Sequence, residues 1–375
     1  MKTLVPTILL LLSAPLVAQQ AVPEIPYESV AGFFKLPPDV NFGEGAGVAV
    51  NSKGHVFVFT RSNSALGPAY GAAASQLLEF GPDGKFIREI GKGLYAWSFA
   101  HVVRVDKDDN IWCVDKGSDM VVKFNPEGHV TMVFGRKKEA SDEGAAPWDH
   151  PKPPRPPVDG QFRQPTDITW DPAGNIYISD GYINSRIAKF DKNGDWVKSW
   201  GEPGSGPAQF NTPHTITSDA QGNIYVGDRG NGRVQVFDGD GKLLREIKIS
   251  VPVPPGARSA IGPTPNADAR GTMAPGAPWA ICITPGPTQY LYVADAFPGR
   301  IYKLTLEGTV LGMLGKAGKQ CGKIVTCRHS PFETSAAKRD TGAIWVALRA
   351  GSSLRLGRGR VPRTETSSPT PGHRP

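Results

Sequence analysis

The stretch QFRQPTDITWDPAGNIYISDGYINSRIAKFDKNGDWVKSWG, from Gln161 to Gly201, decides the fold. It contains short apolar runs rich in β-branched and aromatic residues, and turns rich in Asp, Asn and Gly separate these runs. Runs of this length between such turns predict an antiparallel meander of four strands. One meander cannot bury both of its faces, so the pattern predicts neighbouring units of the same kind.

Four other segments repeat the pattern of this stretch. They are Gly43–Gly91, Phe99–Gly135, Gln209–Ile247 and Ala277–Gly315. A repeat of roughly 40 residues with four strands is typical of a β-propeller blade. The sequence therefore predicts an all-β propeller with five clear blades, and these units resemble NHL repeats.

The excess of positive charge is confined to the end of the chain. The chain has 42 Lys and Arg against 35 Asp and Glu, for a net charge of +7. After Gly315 there are 12 basic and 3 acidic residues, which leaves 30 basic and 32 acidic residues before it. The propeller is nearly neutral, so a nucleic-acid partner is not expected.

The chain is predicted to begin with a signal peptide and continue as one propeller. Residues 1–18 contain a basic start, an apolar run and small residues, which is typical of a cleaved secretory signal; an uncleaved membrane anchor is the alternative. The propeller covers residues 27–320, and Tyr27–Leu36 is expected to close the ring by joining the last blade. The mature protein is expected to be a periplasmic or extracellular monomer without a membrane span.

Residues 321–375 do not continue the repeat. They are rich in Arg, Gly, Ser, Pro and Thr, which predicts a disordered basic tail. Such an end indicates a frameshift or recombination, or else a genuine tail that binds an anionic surface. Cys321 and Cys327 could oxidise to a disulfide in an exported chain, whereas Cys113 and Cys282 lie in strand patterns and are expected in the core.

Alignment of the blades by their turns places two histidines at one repeat position. This position is the start of the innermost strand, and its occupants are His101, Thr166, His214 and Trp279. Because innermost strands surround the central channel of a propeller, His101 and His214 are expected to meet there. Two imidazoles near one axis can share a metal ion, or they can be hydrogen-bonded residues of a water-filled channel.

Arg61, Tyr182 and Arg229 follow the second strands of their blades, near the same face of the predicted ring. A guanidinium there can bind a carboxylate through two hydrogen bonds. A phenol beside a metal can lose its proton and act as a base. Each of the three can equally be an ordinary capping or surface residue.

Four strings in the repeats carry a resemblance to a known enzyme family. They are SDGYINSRI (Ser179–Ile187), QFNTPHTIT (Gln209–Thr217), DRGNGRVQVF (Asp228–Phe237) and the pair GVAV and VFVFTR within Gly47–Arg61. Residues 30 to 318 are thereby similar to peptidyl-α-hydroxyglycine α-amidating lyase, the second catalytic domain of peptide-amidating enzymes. The resemblance implies a six-bladed propeller, with the sixth blade incomplete or aberrant in this chain.

The resemblance also implies an activity and its residues. The family cleaves a peptide's C-terminal α-hydroxyglycine to a peptide amide and glyoxylate, with zinc held by three histidines in the channel. His101 and His214 match two of these ligands, and Tyr182 matches the base that takes the substrate's hydroxyl proton. Arg61 and Arg229 match residues that position the substrate and its carboxylate. A peptide or small-molecule substrate in the channel is the expected partner.

This sequence departs from the family at the last blade. Val48 and Val103 match positions whose main-chain oxygens hold a structural calcium ion. The third zinc histidine and a calcium-binding aspartate belong after Gln320, where His329 does not match the motif. Loss of one protein ligand is expected to weaken metal binding.

Two other functions therefore stay open. A non-catalytic propeller that binds a peptide, protein or glycan is the first. A calcium-dependent lactonase ranks last, because the ring of acidic and Asn ligands that such a site needs is not evident in the sequence.

Overall fold

Five antiparallel four-stranded sheets form the part of the chain that the computed structural model describes. The described residues are 22–25, 32–40, 44–61, 75–137, 156–259, 264–266 and 270–315. Each sheet is one propeller blade, and its four strands are adjacent in chain order. The predicted all-β propeller is therefore confirmed, and its described part has five blades.

The twenty strands fall into five blades of four. Blade 1 has β1 (Glu44–Val50), β2 (Val56–Arg61), β3 (Ser75–Phe80) and β4 (Phe86–Ile90); blade 2 has β5 (Ala100–Val105), β6 (Ile111–Asp115), β7 (Met120–Phe124) and β8 (Val130–Phe134); blade 3 has β9 (Asp167–Trp170), β10 (Ile176–Asp180), β11 (Arg186–Phe190) and β12 (Trp196–Trp200); blade 4 has β13 (Pro213–Ser218), β14 (Ile224–Asp228), β15 (Arg233–Phe237) and β16 (Leu243–Ile247); blade 5 has β17 (Ala280–Ile283), β18 (Leu291–Ala294), β19 (Ile301–Leu304) and β20 (Val310–Leu314). The first strands of successive blades contact one another in series, so β1, β5, β9, β13 and β17 are the inner strands.

Asx turns follow the inner strands of blades 1 to 4. Between β9 and β10, Asp171 Oδ1 accepts a hydrogen bond from the main-chain N–H of Asn175 at 2.9 Å. Gly174 in this turn has a φ of 89°, a conformation that glycine adopts without a steric penalty. The turn between β13 and β14 repeats the arrangement, with Asp219 accepting the N–H of Asn223.

The hydrophobic core lies between neighbouring blades. Trp112 and Phe134 of blade 2 pack in one cluster with Ile178 and Phe190 of blade 3. The second strands β6 and β10 are buried throughout, whereas the outermost strands β8 and β12 are largely exposed. Each blade therefore depends on its neighbours for burial, as expected of stacked repeats.

A buried aspartate at the end of the second strand holds the loop that enters each of blades 2 to 5. The four residues are Asp115, Asp180, Asp228 and Asp295, and each is fully buried. They accept main-chain N–H bonds from Ser98 and Phe99, Arg163, Asn211 and Gly276 respectively. Because these loops lead directly into the inner strands, the aspartates position the residues at the starts of those strands.

The N-terminal segment pairs differently from the sequence prediction. Pro23 and Ile25 exchange main-chain hydrogen bonds with Met313 of β20, the outer strand of blade 5, at 2.9 and 2.8 Å. Lys35, in contrast, donates its N–H to Gly84 O in blade 1. The prediction that Tyr27–Leu36 joins the last blade is therefore wrong for its described part.

Local hydrophobic packing explains this difference. The rings of Phe34 and Phe80 are 4.7 Å apart, and Phe33 and Leu36 join the same apolar cluster of blade 1. The segment thus covers blade 1, and the residues upstream of it pair with blade 5.

Several predicted features lie outside the described residues. They are the signal peptide over 1–18, the sixth blade after residue 315, the tail over 321–375, and Cys321 and Cys327. Cys113 is buried with a free thiol. Cys282 is buried as well, but it is disulfide-bonded, which the sequence did not predict.

Helical structure plays a small part in the described ranges. A 3-10 helix of three residues, Arg229–Asn231, follows β14. No helix within these ranges is long and apolar enough to cross a membrane.

Candidate active site around two histidines

His101 and His214 lie together although they belong to blades 2 and 4. Each is the second residue of its inner strand, β5 or β13. Their ring centroids are 4.9 Å apart, and both rings are within 6 Å of the Tyr182 ring. The structure thus brings together three of the residues that the sequence proposed as site residues.

Main-chain carbonyls fix the tautomer of both imidazoles. His101 Nδ1 is 2.6 Å from Thr166 O, and His214 Nδ1 is 2.8 Å from Trp279 O. A carbonyl oxygen can only accept a hydrogen bond, so Nδ1 carries the proton in each ring. Thr166 and Trp279 occupy the same repeat position as the histidines, and each Nε2 is left with a lone pair.

Both Nε2 atoms face the hydroxyl group of Tyr182. The Nε2–Oη distances are 3.3 Å for His101 and 3.0 Å for His214. A hydroxyl carries a single proton, so it can donate to only one of the two nitrogens. The lone pair of the other Nε2 then lies close to the phenolic oxygen. A cation bound between these atoms would stabilise this arrangement.

Burial and nearby cations keep both histidines neutral. Burial is the main cause that holds the pKa of His101 well below its usual value, and Lys116 and Arg61 lower it further. The pKa of His214 is also well below its usual value, through burial and then Arg229. Neutral imidazole is the form that binds a metal ion.

Arg61 and Arg229 stack on aromatic rings beside this cluster. The Arg61 guanidinium lies 4.0 Å from the Phe99 ring centroid, and its Nη1 donates to Ala100 O at 3.2 Å. The Arg229 guanidinium lies 4.5 Å from the Trp279 ring centroid. Burial lowers the pKa of Arg229, and among the described residues nothing accepts a hydrogen bond from its Nε.

Lys116 is a site residue that the sequence analysis missed. Its Nζ lies 3.9 Å from the Tyr182 ring centroid and 5.1 Å from that of Phe99. It directly follows Asp115, as Arg229 follows Asp228, so the repeat alignment contained the signal that would have found it. The site therefore has three cationic side chains beside two neutral histidines.

A cavity opens beside Tyr182. It has a volume of about 280 Å³, and its lining includes Asn211, Thr212 and Asn231. These side chains offer amide and hydroxyl groups that can donate and accept hydrogen bonds. Because Tyr182 is part of the lining, a ligand in this cavity can contact the residue that both histidines face.

The histidine pair fits a zinc ion. Two neutral Nε2 atoms converge, and each ring is oriented through Nδ1 by a carbonyl, as is usual for metal-bound imidazoles. The described ranges contain no cluster of three or more His, Cys, Asp or Glu side chains that could hold a metal. Protein ligands beyond these two have to come from elsewhere in the chain, and His329 lies outside the described residues.

The predicted calcium site has a less suitable environment. Val48 and Val103 lie on the inner strands β1 and β5, as the repeat alignment requires. Val48 and Arg104 line the same small cavity, however, and Arg104 brings a fixed positive charge to it. The Asp167 carboxylate of the neighbouring strand β9 is paired with Arg104 and is therefore not free to bind a cation.

Comparison with known proteins gives a match to one repeat family and matches to peptide-amidating enzymes. The NHL repeat model matches residues 210–237. Peptidylglycine alpha-amidating monooxygenase of Rattus norvegicus is 30% identical over 58% of this chain and 22% of its own length. A probable peptidyl-alpha-hydroxyglycine alpha-amidating lyase of Caenorhabditis elegans is 28% identical over 42% of this chain and 44% of its own length.

Two further matches carry names other than amidating enzyme. NHL repeat-containing protein 3 of Mus musculus is 32% identical over 44% of this chain and 46% of its own length. A streptogramin B lyase structure aligns with 75% of this chain and 71% of its own, at 16% identity and a TM-score of 0.46. The chain spans less than half the length of each of these three curated relatives.

The described residues form an all-β propeller, and residues 210–237 match the NHL repeat. The chain is also homologous to peptidyl-α-hydroxyglycine α-amidating lyases of Caenorhabditis elegans and Drosophila melanogaster, at 28% and 29% identity over 42% and 44% of its length.

Proposed function

We propose that this protein is a zinc-dependent lyase that converts a peptidyl-α-hydroxyglycine to a peptide amide and glyoxylate. The observation that carries the proposal is the convergence of two neutral imidazole Nε2 atoms on the hydroxyl of Tyr182. Two Nε2 lone pairs beside one phenolic oxygen support the proposal of a metal site and a base at the same point. Homology to amidating lyases supports the same reaction.

Each residue of the site has a role in this reaction. The guanidinium groups of Arg61 and Arg229 bind and orient the carboxylate of the hydroxyglycine. Tyr182 Oη, in its deprotonated form, takes the proton of the substrate hydroxyl, and the C–O bond becomes the carbonyl of glyoxylate. The C–N bond breaks, its electron pair leaves with the amide nitrogen, and this nitrogen gains the proton that Tyr182 has taken. When bound by His101 and His214, zinc would supply a Lewis acid that polarises the hydroxyl oxygen.

The rest of the proposed substrate extends into the cavity beside Tyr182. A peptide that ends in hydroxyglycine has main-chain N–H and C=O groups next to the reacting carbon. Asn211 and Asn231 line the cavity. Asn231 Nδ2 already donates to Gly204 O and Asp228 Oδ2, so Asn231 Oδ1 is the atom that can accept a main-chain N–H of the substrate. The proposed substrate is therefore a peptide held mainly by its backbone and C-terminal carboxylate.

Zinc content and glyoxylate release together test this function. Purified full-length protein is expected to keep about one zinc per chain after dialysis and to release glyoxylate from an α-hydroxyglycine peptide. His101→Ala should lose the zinc, and Tyr182→Phe should keep the zinc but lose activity. His129→Ala, at an exposed turn position, is the matched control. Protein that has neither zinc nor activity would overturn the proposal.

A non-catalytic binding propeller is the second candidate. The described residues supply only two histidines to the cluster and no third acidic, Cys or His partner, and the matches include NHL repeat-containing protein 3. In that case, ligand binding would survive in His101→Ala and His214→Ala, and no glyoxylate would form. Export and a monomeric state stay predictions.

A further inference from the structure

Arg104 connects three inner strands, β5, β9 and β17, through its side chain. It lies on β5, three positions after His101, and its Nε and Nη2 donate to the two carboxylate oxygens of Asp167 on β9, at 2.9 and 2.5 Å. Nη2 also lies 3.5 Å from Ile281 O on β17. The Asp167 side chain is only 2% exposed, so this ion pair is part of the interior.

The network continues through blade 4 and returns to blade 5. Thr215 Oγ1 on β13 donates to Asp167 Oδ2 at 2.8 Å. The same hydroxyl accepts the main-chain N–H of Ile281 at 3.2 Å. Arg104, Asp167, Thr215 and Ile281 thus form a closed cycle that links the inner strands of blades 2, 3, 4 and 5.

Asp167 has no remaining capacity to bind a metal ion. Its carboxylate accepts five hydrogen bonds, of which two come from Arg104 and one each from Thr215 Oγ1 and the main-chain N–H groups of Ile168 and Ile216. A carboxylate has about four lone-pair positions. Asp167 is also the only acidic residue of β5, β9, β13 and β17.

We propose that the Arg104 guanidinium replaces a metal ion as the cation that holds the inner strands together, so that the fold needs no calcium. Val48 shares a cavity with Arg104, and Val103 precedes it in the chain. A divalent cation bound to their main-chain oxygens would find no free carboxylate on β5, β9, β13 or β17, because the Asp167 carboxylate is already bonded to Arg104. The inference is independent of the proposed lyase activity.

Calcium dependence of the full-length protein is the first test. Its melting temperature is expected to be the same in calcium chloride and in EGTA, and the dialysed protein should hold no stoichiometric calcium. Because EGTA also binds zinc, the comparison is repeated with His101→Ala, which lacks the candidate zinc site. Stoichiometric calcium, or a melting temperature that falls in EGTA in both proteins, would overturn the proposal.

A double-mutant cycle tests the ion pair itself. Arg104→Met and Asp167→Asn each leave a polar partner buried without its match, and each is expected to lower the melting temperature by roughly 5 to 10 °C. The double variant should lose less than the sum, because neither charge is then left unpaired. Lys107→Met, at an exposed position, is the control. Additive losses would contradict the proposed pairing. If a single variant fails to fold, the comparison of melting temperatures in calcium chloride and in EGTA still tests the proposal.

Discussion

At the residue scale, the candidate site combines neutral bases with positively charged neighbours. Burial and the cations Lys116, Arg61 and Arg229 all disfavour protonation of His101. The same cations make the site suited to an anionic ligand. The charge that keeps the imidazoles available to a metal therefore also attracts the carboxylate of the proposed substrate.

Lys116 is expected to contribute to the binding of that carboxylate. Lys116→Met should raise KM for an α-hydroxyglycine peptide several-fold, up to about tenfold, because one of three cations is lost. Lys116→Arg keeps the charge and should stay near the wild-type value. Steady-state kinetics of glyoxylate release measures both variants. An unchanged KM in Lys116→Met would show that Arg61 and Arg229 are sufficient.

At the scale of the elements, the aspartate at the end of the second strand in blades 2 to 5 positions the site. Asp115 accepts main-chain N–H bonds from Ser98, Phe99, Gly117 and Ser118. Ser98 and Phe99 precede β5, on which His101 is the second residue. The repeat thus uses one buried carboxylate to hold the strand start that carries a candidate ligand.

Asp115→Asn is expected to loosen this strand start. The amide places an N–H donor among main-chain donors, which should cost about 1 to 3 kcal/mol of unfolding free energy. Zinc affinity should fall as well, since His101 loses its fixed position. Thermal unfolding and zinc titration are the measurements, and the exposed Asp108→Asn serves as control. Wild-type stability together with wild-type zinc affinity would exclude this positioning role.

At the scale of the whole molecule, blade 5 makes the stability of the fold depend on pH. Burial raises the pKa of Asp295 to about 6, although Gly276 and Arg300 N–H and the Tyr302 hydroxyl donate to its carboxylate. In the unfolded chain, the pKa of an aspartate is about 3.9. The folded protein therefore binds more protons than the unfolded chain between these values, and ionisation of Asp295 lowers stability as pH rises from about 4 to 6.

The expected cost of ionised Asp295 at neutral pH is roughly 3 kcal/mol, which follows from the difference between the two pKa values. Asp295→Asn cannot titrate, so the stability of the wild type relative to this variant should decrease between pH 4 and 6 and then stay level. Denaturant unfolding at a series of pH values gives both curves. A constant difference across this range would mean that Asp295 is ionised with its ordinary pKa.

Much of the architecture could be predicted because its signals are local. The turn around Asp171 and Gly174 and the alternation of short apolar runs identify strands without knowledge of distant residues. The repeat alignment then placed His101 and His214 at equivalent strand starts. The contact of Lys35 with blade 1 could not be predicted in this way, because it depends on how Phe34 packs against Phe80.

The sequence by itself determined that this protein is an all-β propeller of repeated four-stranded units and which residues begin its inner strands, since strand length, turn chemistry and period are local properties of the chain. Only the tertiary structure decided that His101 and His214 both face the hydroxyl of Tyr182 and that Lys116 Nζ lies over the Tyr182 ring. It also decided that Arg104 completes a cycle of hydrogen bonds through Asp167. These contacts join residues of different blades. They depend on the angle and distance at which blades pack, which no single repeat contains.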